Sequence, residues 1–82
     1  EALRDGGTPD ALAATEELRG AIDQAISGLP EDLRTALTLR EMEGLSYDEI
    51  ASVMDCPIGT VRSRIFRARE AIEQSIEPLK GD

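Results

Sequence analysis

Two helical signals only three residues apart constrain this chain more than any other feature of it. Ser46 and Glu49 stand in the S-x-x-E register of a capping box, in which a hydroxyl and a carboxylate satisfy the open backbone donors at a helix start. Ile50, Val53 and Met54 follow on one stripe. Asp55-Cys56-Pro57 should end that helix, because the residue before a proline disfavours helical backbone. Another helix is expected over 58–75, stopped by Pro78. The small Ala51 midway along the first would let the pair approach closely. Ile50, Met54, Ile58, Val61 and Ile65 would fill the angle between them. This is the helix-turn-helix pattern, although any tight αα-hairpin shares its outline.

Upstream, the same spacing logic gives two more helices. Pro9 suits a first helical position and Thr8 a cap, and Leu18, Ala21, Ile22, Ala25, Ile26 and Leu29 recur at three- and four-residue steps. Gly28 and Pro30 interrupt that stripe. The next helix opens at Pro30-Glu31-Asp32, with acids placed against the positive end of its dipole. Leu33, Ala36, Leu37, Leu39 and Met42 wrap more than one of its faces, so it should be central, and Gly44 is a left-handed stop. No stretch has the alternation of a strand. The expected fold is all-α: four helices ending in a helix-turn-helix, with no wing. Residues 1–8, with Gly6-Gly7 and no apolar period, read as a linker or the cut edge of a longer protein, leaving 9–82 as the domain.

A chain of 82 residues can bury only a modest core and has little room for an enclosed active site. It has no His, which removes His-based triads and His-bearing metal sites. Its one cysteine, Cys56, cannot form an internal disulfide, fits a reducing cytosol, and reads as a small packing residue. The acid pairs Glu41/Glu43 and Asp48/Glu49 read as solvated surface. No catalytic group, metal or other cofactor is expected. No apolar run is long enough for a membrane span, and the charged opening is not a signal peptide, so the expectation is a cytoplasmic protein.

The formal charge of −8 opposes nucleic-acid binding until its distribution is examined. Residues 1–56 carry four basic and thirteen acidic side chains, a balance of −9. Residues 57–80 carry five basic and three acidic, a balance of +2, and Asp82 completes the total. From Pro57 to Arg69 there are four arginines and no acid. A solvated helix face would explain those arginines equally well, so charge alone does not decide.

The helical wheel of the last helix adds more. At about 100° per residue, Ile58, Val61, Ile65, Ala68, Ile72 and Ile76 form one compact stripe. Phe66, the only Phe in the chain, falls roughly 110° from its centre, beside Ser63 and Arg67. Arg62 and Arg64 flank this outward face, and Arg69 leans toward the core edge. A Phe held outside a filled core, between arginines, suits contact with a thymine methyl or a base edge, and arginine reads guanine through two hydrogen bonds. Arg62, Ser63, Phe66 and Arg67 therefore form the candidate DNA-reading patch. A protein-interaction module, the main alternative, would not need it. Tyr47, beside the Ser46 cap, fits packing or a phosphate contact equally.

At these residues the chain resembles a family. Residues 29–72, LPEDLRTALTLREMEGLSYDEIASVMDCPIGTVRSRIFRAREAI, are similar to region 4 of bacterial extracytoplasmic-function sigma factors of the sigma-E/AlgU type. GLSYDEIA and GTVRSRIFRARE are the distinctive segments. The resemblance implies recognition of a GGAAC-like −35 promoter element in double-stranded DNA, within a sigma factor that directs core RNA polymerase to stress-type promoters. By motif position, it places Arg62, Ser63, Phe66 and Arg67 toward the bases, and Thr60 and Arg64 where the family touches the DNA backbone or packs. It implies two protein partners, the flap of the polymerase β subunit and a membrane-anchored anti-sigma factor. Many members of the wider family carry Ser where this chain has Pro57, which leaves the start of the recognition helix open by a residue or two. LuxR-type regulators also have four helices and dimerise on the last one. Here Glu70, Glu73 and Glu77 would make such pairing repulsive, so a monomer is expected.

Overall fold

The computed structural model describes residues 9–80, with side chains described for 13–77. Four helices follow one another: α1 Pro9–Ser27, α2 Glu31–Glu41, α3 Tyr47–Met54 and α4 Ile58–Lys80. The described residues contain no strand. The expected linker over 1–8 and the Thr8 cap lie outside the described residues.

Each boundary has a local cause. Pro30 precedes α2 in an extended conformation, and Glu31 and Asp32 occupy its first turn. Past α2, Gly44 takes a positive φ of 73°, the left-handed stop its sequence position predicts. The capping box forms in full: the Glu49 amide donates to Ser46 Oγ at 3.1 Å, and the Ser46 amide donates to Glu49 Oε1 at 2.8 Å. α3 ends in a Schellman motif. The Cys56 amide reaches back to the Ala51 carbonyl at 3.0 Å, and that of Asp55 to the Ser52 carbonyl at 3.3 Å. Asp55 therefore sits at φ 55°, a left-handed position that a short polar side chain tolerates. Three residues, 55–57, turn the chain into α4, and Ile58 settles the start left open by Pro57.

The core consists of Leu29, Ala36, Leu37, Ile50, Val61, Ile65 and Ala68, with Ile50, Val61 and Ile65 its largest fully buried side chains. Leu45, Met54, Cys56 and Ile72 pack at its edge. Leu45, just before the Ser46 cap, and Ile50, four positions into the helix, occupy the two sites of a hydrophobic staple.

Three expectations need correction. The central helix is α4, which packs against each of the other three; α2 buries only Ala36 and Leu37. Met42 and Val53, assigned to apolar stripes, are 71% and 62% exposed. The eight-residue α3 packs through Tyr47, Ile50, Ala51 and Met54, and Val53 lies outside that face. Pro78 does not stop α4, which continues to Lys80. A proline ring already holds a helical φ, and this close to an end the helix bears only the lost bond to, and the ring's crowding of, the carbonyl four residues back. That carbonyl belongs to Gln74, an exposed residue, where water can serve as donor.

Candidate nucleic-acid interface

The turn at Asp55-Cys56-Pro57 lets α4 pack against α3 along one face and present another outward. Val61, Ile65 and Ala68 are buried, which fixes the helix's rotation. Arg62, Ser63, Phe66 and Arg67 are consequently exposed, Phe66 at 66% of its surface. The patch expected from the wheel is thus brought together in space. Thr60 is half-buried in the first turn, its amide donating to the Pro57 carbonyl at 3.0 Å. No acid occupies the first turn of α4.

The arginines divide into two groups. Arg34 is held by Glu31 at 2.6 Å and by the Ser27 carbonyl at 3.2 Å. Arg64 is half-buried, with its Nε 3.7 Å from Asp32 and its Nη1 3.8 Å from Cys56 Sγ. Arg69 donates to Glu41 of α2, and this hydrogen bond raises its pKa further above the ordinary arginine value. Glu41, read from sequence as plain solvated surface, is therefore a tether between α2 and α4. Arg40, Arg62 and Arg67 make no ion pair among the described residues. Arg64 and Arg69 thus have their charge offset within the protein, and the free positive charge near α4 is smaller than the sequence count suggests.

Tyr47, the first residue of α3, is half-buried against the core. The Arg40 guanidinium lies 4.7 Å from the centre of its ring and that of Arg62 5.8 Å. Arg40 also donates through Nη1 to the Leu45 carbonyl at 2.9 Å. Sequence reasoning placed Tyr47 beside the cap but missed Arg40. Arg40 ends α2 on the far side of the Gly44 turn, and no helical period links two residues across a turn.

The apolar stripe of α4 continues past the helix-turn-helix. Beyond Ala68 it is only partly covered, and with α1 and α2 it forms an open groove of about 320 Å³. Ile22, Ile26, Leu37, Met42, Ile72 and Ile76 supply its apolar lining, with Glu41, Arg69 and Glu73 also bordering it. The exposure of Met42 follows from its place in this groove.

The family model described as Sigma-70, region 4 matches residues 19–72, a span that begins within α1 and holds all of α2 and α3 and most of α4. The chain belongs to the sigma-70 region 4 family. It is 60% identical over 78 residues, 95% of its length, to the ECF RNA polymerase sigma-E factor of Escherichia coli K12, and equally to that of Salmonella typhimurium LT2. The RNA polymerase sigma-H factor of Pseudomonas aeruginosa is also 60% identical over 78 residues. The chain spans about two fifths of these relatives: 41% of the two sigma-E factors and 40% of the sigma-H factor. Among the described residues no helix is long and apolar enough to cross a membrane.

Proposed function

We propose that this region 4 domain reads a −35 promoter element of the GGAAC type by laying the N-terminal half of α4 in the major groove. The observation that carries the reading is Phe66, exposed between Arg62, Ser63 and Arg67 while Val61, Ile65 and Ala68 of the same helix are buried in the core. Exposing an aromatic ring to water in the free protein is unfavourable, and a thymine methyl or base edge would cover it. Arg67 and Arg62, free of ion pairs, would supply donors to guanine. Thr60 and Arg64 lie at the border of this face. Arg64 is tied to Asp32 and Cys56, which supports a packing role more than a phosphate contact.

The domain acts by binding, without catalysis and as a monomer, within a cytoplasmic sigma factor that directs core RNA polymerase to stress-type promoters. The relatives' designation as RNA polymerase sigma factors supports this. The α1–α2–α4 groove suits an apolar segment of a protein partner. The β flap of the polymerase and an anti-sigma factor are its two expected occupants, competing for one surface. A ternary complex holding both on this domain would count heavily against that competition.

The decisive experiment titrates the 82-residue chain against a GGAAC-containing duplex and a scrambled one, at several salt concentrations. Preference for the first, lost in Arg67→Ala, is expected. Equal binding to both duplexes would end the proposal.

A further inference from the structure

We infer that Glu70 is a further specificity-determining residue of the reading helix, its carboxylate accepting a hydrogen bond from a cytosine amino group at the edge of the −35 element. The inference rests on the DNA-reading proposal and adds a base contact to it. At about 100° per residue, Glu70 projects roughly 150° from the centre of the buried stripe of α4, farther out than Phe66. It is exposed, and it follows Phe66 by four positions and Arg67 by three, one turn on along the same face. Glu70 is also the first acid of α4, after four arginines. Nothing in the fold employs it. It makes no ion pair or hydrogen bond among the described residues, although Arg67 stands free one turn away. Acids that serve the packing behave differently: Glu41 holds Arg69, Asp32 holds Arg64, and Glu49 closes the α3 cap.

A free carboxylate on the face that enters a DNA groove has two consequences. The phosphates of every duplex repel it, which weakens binding without regard to sequence. A base edge offering an amino group reverses the sign at one position, because an ionised carboxylate can only accept hydrogen bonds. In the major groove cytosine presents its N4 donor alone, whereas adenine sets the N7 acceptor beside its N6 donor. Guanine and thymine present acceptors, and an acceptor opposite a carboxylate leaves the charge unpaired. Cytosine is therefore the base that this side chain accepts best. Three residues of helix advance about 4.5 Å, close to the roughly 3.4 Å step between base pairs. Glu70 thus falls about one base pair beyond the position that Arg67 reads. A GGAAC-type element carries cytosine at one end and, on the opposite strand, at the other, so either orientation of α4 supplies the partner. Glu77, the next exposed acid on this face, lies about 10 Å farther along the helix, beyond the patch.

The test uses the 82-residue chain at low salt, with the GGAAC duplex, a scrambled duplex, and a set in which each base pair of the element and its flanks is substituted in turn. Wild type, Glu70→Ala and Glu70→Gln are compared, with a melting curve for each. Both variants should melt with wild type, since the side chain is exposed and unpaired. In wild type, replacing one G·C pair at the edge of the element should lower affinity about tenfold. In Glu70→Ala that penalty should vanish: duplexes substituted there bind nearly as well as the cognate, while the preferences read by Arg67 stay in place. Glu70→Gln should behave alike, because its amide donates as well as accepts and tolerates the acceptors that a carboxylate refuses. Uniform tightening on every duplex, with each base preference kept, would mark a charge that only repels phosphates and overturns the base contact. Unchanged binding to all duplexes overturns it as well. A wild-type chain with no preference for the cognate duplex would instead sink the promoter-reading proposal, whereas a preference that survives whole in both variants removes Glu70 alone.

Discussion

Ile65 and Phe66 are sequence neighbours on α4, yet the structure assigns them opposite tasks, and alanine substitution separates the two. Ile65 is 2% exposed and lies in the core with Val61 and Ile50. Truncating it removes buried methylenes and leaves a cavity, at a cost of about 2–5 kcal/mol. Phe66 is 66% exposed. A fully buried Phe contributes roughly 1.5–3 kcal/mol, so the third of its surface that is covered contributes only about 0.5–1 kcal/mol. In a domain of this size, 1 kcal/mol moves the melting temperature by about 4–8 °C. Phe66→Ala should therefore melt within about 8 °C of wild type, and Ile65→Ala roughly 10 °C or more below it. DNA binding should rank them the other way. Phe66→Ala should lose about 1 kcal/mol of preference for the GGAAC duplex over the scrambled one, near fivefold. Ile65→Ala, measured well below its own melting point, should keep that preference. Thermal melts by circular dichroism, with fluorescence anisotropy on both duplexes, read the two effects independently. If Phe66→Ala costs several kcal/mol of stability and leaves the preference intact, Phe66 belongs to the core and the reading face assigned to α4 is wrong.

Other perturbations test the division of the arginines. Arg67→Ala should reduce the preference for the cognate duplex by about 1–3 kcal/mol with little change in melting temperature, since Arg67 makes no ion pair among the described residues. Glu41→Gln should release Arg69, tightening binding to both duplexes and steepening the salt slope by up to about 0.9, while the exposed pair it breaks costs at most about 1 kcal/mol of stability. Unchanged DNA affinity in that variant would show that Arg69 lies out of reach of phosphates. Ser46→Ala removes the α3 cap and should cost about 1 kcal/mol in a urea melt, with no loss of base preference once the domain is folded.

Much of this fold was legible because its signals are local. The Ser46/Glu49 box, the left-handed Gly44 and the Asp55-Cys56-Pro57 break each act within a few residues, and each appears where its spacing placed it. The rotation of α4 was legible for a related reason: six apolar residues at helical spacing leave one phase, and Phe66 falls outside it. What failed was global. Periodicity reports that a face is apolar but not whether anything covers it. Met42 and Val53 therefore looked like core, and α2 looked central until α4 proved to contact all three other helices. Partnerships across turns were equally hidden. Nothing in the spacing joins Glu41 to Arg69, Asp32 to Arg64 or Arg40 to Tyr47, since each pair depends on how two helices cross.

Those hidden partnerships change the electrostatic argument for the whole chain. Counted from sequence, the 57–69 stretch offers four arginines without an acid, a strong basic stripe on a domain of charge −8. In the fold, α2 sends Asp32 and Glu41 across to Arg64 and Arg69. Arg62 and Arg67 remain free on α4, with Arg40 beside them. Even if all three of these arginines met phosphates rather than bases, they would give a salt slope of only about −3. That is a small attraction set against the field of a strongly acidic body, so the isolated domain should discriminate between sequences better than it holds DNA. On the proposed reading, a domain tethered with a second promoter-reading domain on one polymerase would meet its element at the high effective concentration a linker imposes, and strong phosphate binding would only add time spent on wrong sequences. The acids of α2 then serve specificity as well as packing, by keeping two arginines of the reading helix from gripping any duplex that passes.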